Sequence, residues 1–207
     1  MKVLLVVHNF LPLHTAGTEV YTAQLGRHLA RRGHRVHVFT AEKDIAARDL
    51  SVRERGHAVL RVTELGNHLF HDAFRPTLVH PAAASACGEL RDRFRPDVVH
   101  VQHLMYLSIG CVEEARARGI PVVFTLHDYW LHCPRFGQRV YVDGSICETI
   151  DLDRCGGCMA RFKHAQTPLA RRAGRAIAAL RDRTGVDLGG AARGTARLLG
   201  RNGGAAG

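Results

Sequence analysis

Short apolar runs alternate with amphipathic segments along the first 130 residues of the chain. Residues Val3–Val7 are apolar throughout, as expected of a parallel strand that is covered on both faces. After a polar stretch, Tyr21, Leu25 and Leu29 recur at every fourth position, which predicts a helix from about Thr18. The opening of the chain is therefore predicted to form a strand, a loop and a helix.

The alternation of strands and helices continues to about residue 126. Further strands are predicted at Val36–Thr40, His57–Val62, Asp97–Val101 and Pro121–Leu126, and helices at Pro81–Phe94 and Ser108–Arg118. The charged segment Glu42–Arg55 is predicted to be a loop. Repeated strand and helix units with short connections predict an α/β fold, a Rossmann-like, doubly wound parallel sheet with right-handed crossovers.

Polar residues follow several of the predicted strands. In doubly wound sheets, ligands bind beyond the carboxyl ends of the strands. The strand-end residues expected at that edge are His8, Asn9, His100, Gln102, His103, His127 and Asp128. Such side chains can form hydrogen bonds with sugar hydroxyls or with a phosphate. For His8 and His100 the simpler interpretation is hydrogen bonding to loop carbonyls, whereas His127, between a strand and an Asp, is the stronger candidate for chemistry.

A single glycine precedes the first predicted helix, in the turn Ala16-Gly17-Thr18-Glu19. A helix start leaves backbone N–H groups unpaired, and a glycine lets a ligand approach them, so the turn is a candidate site for an anion or a hydroxyl. The alternative is a plain turn in which Thr18 caps the helix. The dinucleotide-binding fingerprint is excluded because it needs several glycines in a tighter turn.

Six short motifs in combination resemble the amino-terminal domain of the family 4 glycosyltransferases of the GT-B fold. The segments that carry the resemblance are Phe10-Leu11-Pro12, Ala16-Gly17-Thr18-Glu19, Leu25–Leu29, Arg32–Val36, Pro96–His100 and Thr125–Trp130. The resemblance covers roughly residues 1 to 180. In this family the glycine loop usually has two adjacent glycines, and Ala16 stands at the first of them.

The resemblance implies a retaining transfer of a sugar from a nucleotide-sugar donor. It places the acceptor, a glycan or a lipid-linked sugar, mainly on this domain and the donor on a second domain, which a separate chain could supply. His127 matches the family's strand-end histidine, which contacts the donor sugar near the reacting carbon, and is our catalytic candidate. Gly17 matches the loop that faces the donor phosphate and the acceptor. Candidate substrate-binding residues are Asn9, Ala16, Gly17, Thr18, Glu19, His103 and Asp128.

Four cysteines follow the last predicted strand, with thirteen, seven and two residues between them: Cys133, Cys147, Cys155 and Cys158. Four thiolates suffice for a closed tetrahedral zinc site, which would fix the polar loop of residues 130–160. Four unrelated thiols and an iron–sulfur cluster remain the alternatives. No cofactor is expected for catalysis. Cys87 and Cys111 lie in predicted helices and are expected to be small core residues.

The carboxyl-terminal part of the chain is basic. From residue 161 onward it carries ten Lys or Arg and two Asp or Glu, which supplies +8 of the net charge of +10. A charge so concentrated argues against nucleic acid as a partner and favours a solvated tail or peripheral contact with a membrane. Leu169, Ala173, Ile177 and Leu180 form an apolar stripe at helical spacing, which is expected to pack on the sheet or, alternatively, to lie on a membrane surface.

The length of 207 residues suits one domain with an appendage. We assign residues 1–183 to the domain and residues 184–207, with eight glycines, to a disordered tail rich in Gly, Ala and Arg. The apolar runs are too short for a signal peptide or a membrane span, so the expected location is the cytoplasm, including the inner face of the membrane.

Two classes of function are compatible with these patterns. The first is a glycosyltransferase domain that binds the acceptor and is inactive without a donor-binding domain. The second is a non-catalytic module, or a truncated product, that keeps only the recognition of an acceptor or a partner. A neighbouring reading frame that encodes a donor domain would favour the first class.

Overall fold

The fold is taken from a computed structural model that describes residues 1–43, 47–68, 75–133, 135, 137–160 and 168–185. The described chain contains six strands, which are β1 Lys2–Val7, β2 Arg35–Glu42, β3 Val52–His57, β4 Leu60–Gly66, β5 Val98–Val101 and β6 Val122–Phe124. Its α-helices are α1 Gly17–Arg31, α2 Pro81–Phe94, α3 Gly110–Ala117, α4 Leu152–Ala160 and α5 Pro168–Thr184.

The six strands form one sheet in the order β3-β4-β2-β1-β5-β6. All neighbouring strands are parallel except β3 and β4, which pair antiparallel at one edge. The chain runs outward from β1 to β2 and β4, and then returns to place β5 on the other side of β1. The carboxyl ends of β1 and β5 therefore form the topological switch point, where sheets of this kind bind ligands.

Alternate residues of β1 face two separate apolar layers, which makes the domain a three-layer α/β/α structure. Leu5 and Val7 pack with Ala23 of α1 on one face, whereas Leu4 and Val6 pack on the other with residues of α2 and α3. Burial on both faces explains why β1 is apolar throughout. The structure confirms the predicted doubly wound parallel sheet.

The structure corrects one predicted strand and one predicted loop. The residues expected to form one strand at His57–Val62 instead form the turn of a hairpin. Strand β3 ends at His57, and β4 begins at Leu60. Ala58 turns the chain with a φ of 52°, a left-handed conformation usually taken by Gly or Asn. The segment Glu42–Arg55 is not entirely a loop, since its ends belong to β2 and β3.

The carboxyl-terminal helix α5 carries the predicted apolar stripe, but much of the stripe faces solvent. The side chains of Leu169 and Leu180 are 78% and 44% exposed. Helix α5 runs to Thr184, one residue beyond the expected domain boundary, and most of the tail expected at 184–207 lies outside the described residues. Within the described ranges, no helix combines the length and the apolar character needed to cross a bilayer.

Candidate functional site

A group of histidines and carboxylates occupies the switch point between β1 and β5. His8 follows β1 directly, is nearly buried, and has its Nε2 atom 3.4 Å from Oε1 of Glu19 on α1. The ring of His103, just beyond β5, lies 4.4 Å from the His8 ring, centroid to centroid. The strand ends and the first turn of α1 thus meet at one edge of the sheet, as the sequence predicted.

His103 links this group to the segment that follows β6. Its Nδ1 atom accepts a hydrogen bond of 3.0 Å from the backbone N–H of Met105, so the ring proton lies on Nε2. Nε2 then donates to Oδ2 of Asp128 at 3.3 Å. Oδ1 of Asp128 accepts from the backbone N–H of Trp130 at 2.8 Å. Both oxygens of this exposed carboxylate are therefore held in place.

His127 is half-buried and is held by Gln102, which is fully buried at the end of β5. The Nε2 atom of His127 lies 2.9 Å from Oε1 of Gln102. Because an amide oxygen only accepts, the neutral imidazole carries its proton on Nε2 and its lone pair on Nδ1. The ring of Tyr21 contacts the His127 ring edge to face at 5.0 Å. An imidazole oriented in this way can accept a hydrogen bond from a ligand hydroxyl at Nδ1.

Helix α1 begins in the predicted glycine turn. Its N-cap is Ala16, which offers no side-chain cap, so the alternative in which Thr18 caps the helix is wrong. A Cβ atom on Gly17 would meet nothing within 4 Å, so the helix start is open to an approaching group. Within the helix, the Oγ1 hydroxyl of Thr22 donates a hydrogen bond of 2.6 Å to the Thr18 carbonyl. Uncapped N–H groups of this kind suit an anion or a hydroxyl.

Two histidines of the site, His8 and His103, are neutral at neutral pH. Burial, and then the neighbouring imidazoles of His103, His14 and His127, lower the pKa of His8 to about 3. Burial also lowers the pKa of His103, although the Asp128 carboxylate opposes this shift. Uncharged imidazoles beside carboxylates form a surface for hydrogen bonds with hydroxyl groups.

Three buried polar atoms at this edge have no hydrogen-bond partner among the described residues: Nδ1 of His8, Oε2 of Glu19 and Nε2 of Gln102. Buried polar groups are nearly always paired with protein or with water. Their clustering at the switch point marks the place where water or a polar ligand completes the network.

For two of the remaining candidates, His100 and Asn9, the structure gives less support for contact with a ligand. His100 bonds to Thr125, with 2.8 Å between Nε2 and Oγ1, which favours the structural interpretation of that histidine over a ligand contact. The bond is to a hydroxyl and not to the loop carbonyl that we expected. Asn9 is half-buried beside His8 and has no described hydrogen bond.

Sequence reasoning missed the role of Tyr21 and understated that of Gln102. The helical spacing placed Tyr21 on the apolar stripe of α1, but its side chain is 43% exposed and covers the His127 ring. Gln102 was identifiable as a polar residue directly after a buried strand. Its pairing with His127 requires β5 and β6 to be neighbours in the sheet. The sequence around these two residues does not predict that arrangement.

The four candidate zinc ligands are divided between a hairpin segment and a helix. Cys155 and Cys158 lie within α4, so the predicted loop of residues 130–160 is partly helical. Cys147 and Cys158 are buried, whereas Cys133 and Cys155 are half-buried, and all four are free thiols. Among the described residues, no group of three or more His, Cys, Asp or Glu side chains is already arranged as a metal site.

The sequence profile of Glycosyltransferase Family 4 matches residues 15–183, which is most of the chain. The match includes α1, the end of β5 and the His127 segment, so it contains nearly all of the site described above. No curated protein matched the sequence.

Similar solved structures include a starch synthase and a trehalose-phosphate synthase. Starch synthase IV of Arabidopsis thaliana, bound to ADP and acarbose, is 16% identical with a TM-score of 0.43, over 62% of this chain and 34% of that one. The α,α-trehalose 6-phosphate synthase of Burkholderia multivorans is 15% identical with a TM-score of 0.40, over 61% and 33%. The chain thus spans about a third of the length of these structures.

Proposed function

The chain belongs to glycosyltransferase family 4, and from that premise we propose that its sheet forms the acceptor-binding domain of a retaining, nucleotide-sugar-dependent transferase. The single observation that carries the proposal is the position of His127. Its imidazole is oriented by Gln102 beside the switch point of the sheet, and none of the described residues forms a hydrogen bond with its Nδ1 atom. This geometry and the resemblance of the segment Thr125–Trp130 to the family both support the role that we propose for His127.

Each part of the site has a role in the proposal. His127 accepts a hydrogen bond from a hydroxyl of the transferred sugar, while Asp128 and Glu19 accept hydrogen bonds from hydroxyls of the acceptor. The open start of α1 at Gly17 faces the donor phosphate when the two domains close, since its N–H groups favour a negative charge. A second domain, in the same protein or in a separate chain, holds the nucleotide.

The electrostatics of the site support an acceptor and not a nucleotide as its main ligand. The neutral imidazoles of His8 and His103 lie beside the carboxylates of Glu19 and Asp128, and among the described residues neither carboxylate is paired with the Lys or Arg side chains that hold a diphosphate. The exposed stripe of α5, flanked by Arg172 and Arg175, supports a further proposal that the domain meets an anionic membrane surface, where a lipid-linked acceptor would be presented.

Calorimetric titration of the purified 207-residue protein tests the ligand preference. We expect weak binding of an acceptor sugar or sugar phosphate and weaker or undetectable binding of UDP-, ADP- and GDP-sugars, because the donor is held mainly by the second domain. The Asp128→Asn variant should weaken acceptor binding, and His28→Ala, on the exposed face of α1, serves as the control. Tight binding of a nucleotide sugar by the isolated protein would contradict the proposal.

A further inference from the structure

The cysteine segment forms a small packed unit beside the site. Cys147 and Cys158 are 8% and 7% exposed and pack with Tyr141 in a separate apolar cluster. All of the cysteines are free thiols, including those of the main core, Cys87 and Cys111. The segment that brings the cluster together is otherwise rich in polar residues, so little apolar surface is available to hold it.

Local contacts place Cys147 at the end of a hairpin and Cys155 and Cys158 on one helix. A bridge between Val140 and Ile146 closes a hairpin, after which the N–H of Cys147 donates to the Arg139 carbonyl at 2.8 Å. Cys155 and Cys158 are three residues apart on α4, so their side chains share one face of the helix. The side chain of Asp151 caps this helix by accepting from the N–H groups that follow it.

We propose that Cys133, Cys147, Cys155 and Cys158 bind one structural Zn²⁺ ion as a closed tetrahedral site. Binding displaces the thiol protons to solvent and joins the hairpin to α4. The described thiols do not yet have ligand geometry, so the sulfur atoms close around the ion as it binds, as is common when metal binding is coupled to folding. No redox change or second reactant is involved.

Nearby arginines suit the charge of such a site, since four thiolates around Zn²⁺ carry a net charge of about −2. Arg139 donates through Nε to the carbonyl oxygen of Cys147 at 2.8 Å. The guanidinium of Arg154 lies 3.4 Å from the ring centroid of Tyr141, the residue that packs on the two buried thiols. Second-shell groups of this kind orient metal ligands and offset their charge.

The site would also fix the segment that contains Asp128. The Cys133 N–H donates to the Tyr129 carbonyl at 2.8 Å, and the Gly137 N–H donates to the Cys133 carbonyl at 3.0 Å. Gly137 has a φ of 71°, and a Cβ atom there would lie 2.7 Å from the backbone nitrogen of Trp130. The hairpin thus packs directly on the residues after β6, so the ion would stabilise one wall of the proposed acceptor site.

Metal analysis of the full chain tests the proposal. Protein prepared rapidly under reducing, anaerobic conditions should contain about one zinc per chain by mass spectrometry. Serine in place of each of Cys133, Cys147, Cys155 and Cys158, one at a time, should lower the zinc content at least about tenfold. The Cys87→Ala variant, which removes a buried thiol of the main core, is the control and should retain the ion.

A second measurement keeps the test valid if a serine variant folds poorly. Wild-type protein stripped with a chelator should take up one Co²⁺ and develop thiolate-to-metal charge-transfer absorption, which Zn²⁺ then removes. A protein that contains no zinc and takes up neither Zn²⁺ nor Co²⁺ would overturn the proposal. Iron with acid-labile sulfide, or a disulfide between Cys155 and Cys158 in the fresh protein, would overturn it equally.

Discussion

Replacing His127 with alanine is expected to lower sugar transfer about 10²- to 10³-fold in the protein supplied with its donor-binding domain. The imidazole is half-buried and bonds to Gln102 through Nε2, so its loss removes one oriented hydrogen-bond acceptor from the reacting centre. The main apolar core does not include this side chain, so the melting temperature should change by only a few degrees. Steady-state kinetics and thermal denaturation measure the two effects.

The variant Gln102→Leu separates the orientation of His127 from its presence. It keeps the imidazole but removes the acceptor of its Nε2 proton, so it should lower kcat more than it raises KM. His28→Ala, on the exposed face of α1, should change neither activity nor stability. If His127→Ala lowers stability strongly and leaves the activity per folded molecule unchanged, His127 is a structural histidine and our assignment is wrong.

Acidification from pH 6.5 to 5 is expected to lower the free energy of unfolding by about 2 kcal/mol for each of His8 and His37. Burial lowers the pKa of His8 to about 3 and that of His37 to about 4, from 6.5. Below pH 6.5 the unfolded chain therefore binds protons that the folded chain does not. The stability from these neutral histidines is fully present above pH 6.5 and is lost as the pH falls.

Urea denaturation at several pH values measures this slope. His37 is 5% exposed and bonds through Nε2 to Oγ1 of Thr63 at 2.8 Å, so His37→Asn can preserve a polar contact while removing the titrating group. That variant should flatten the slope by about one proton. A wild-type protein that is equally stable, or more stable, at pH 5 than at pH 7 would contradict the account.

The sheet and the position of the site were predictable from the sequence because both depend on strong local patterns. The apolar run of β1 and the segment Pro81–Phe94, which begins at a proline, match the observed elements. Polar residues at strand ends identified His8 and His127 because parallel strands end at a common edge. The family profile matches residues 15–183, a range that includes His127 but not His8.

The features that the sequence did not reveal depend on contacts between distant segments or on unusual local conformations. The β3–β4 hairpin turns at Ala58, which has a positive φ without the Gly or Asn that normally signals such a turn. The contact between Tyr21 and His127 joins α1 to the end of β6. The sequence did contain a signal for helix α4, because Asp151 precedes the helix as a capping residue. The two glycines between Cys155 and Cys158 nevertheless favoured the prediction of a loop.

The most direct test of the central claim is a transfer assay with radiolabelled nucleotide sugars, with and without a donor-binding domain. Both substrates must be bound in reacting geometry, and our proposal assigns the stabilisation of the departing diphosphate to a second domain. We predict no measurable transfer by the 207-residue chain alone. With the donor domain present, we predict multiple turnovers and a product with the donor's anomeric configuration. Multiple turnovers by the isolated chain, or an inverted product, would contradict the account.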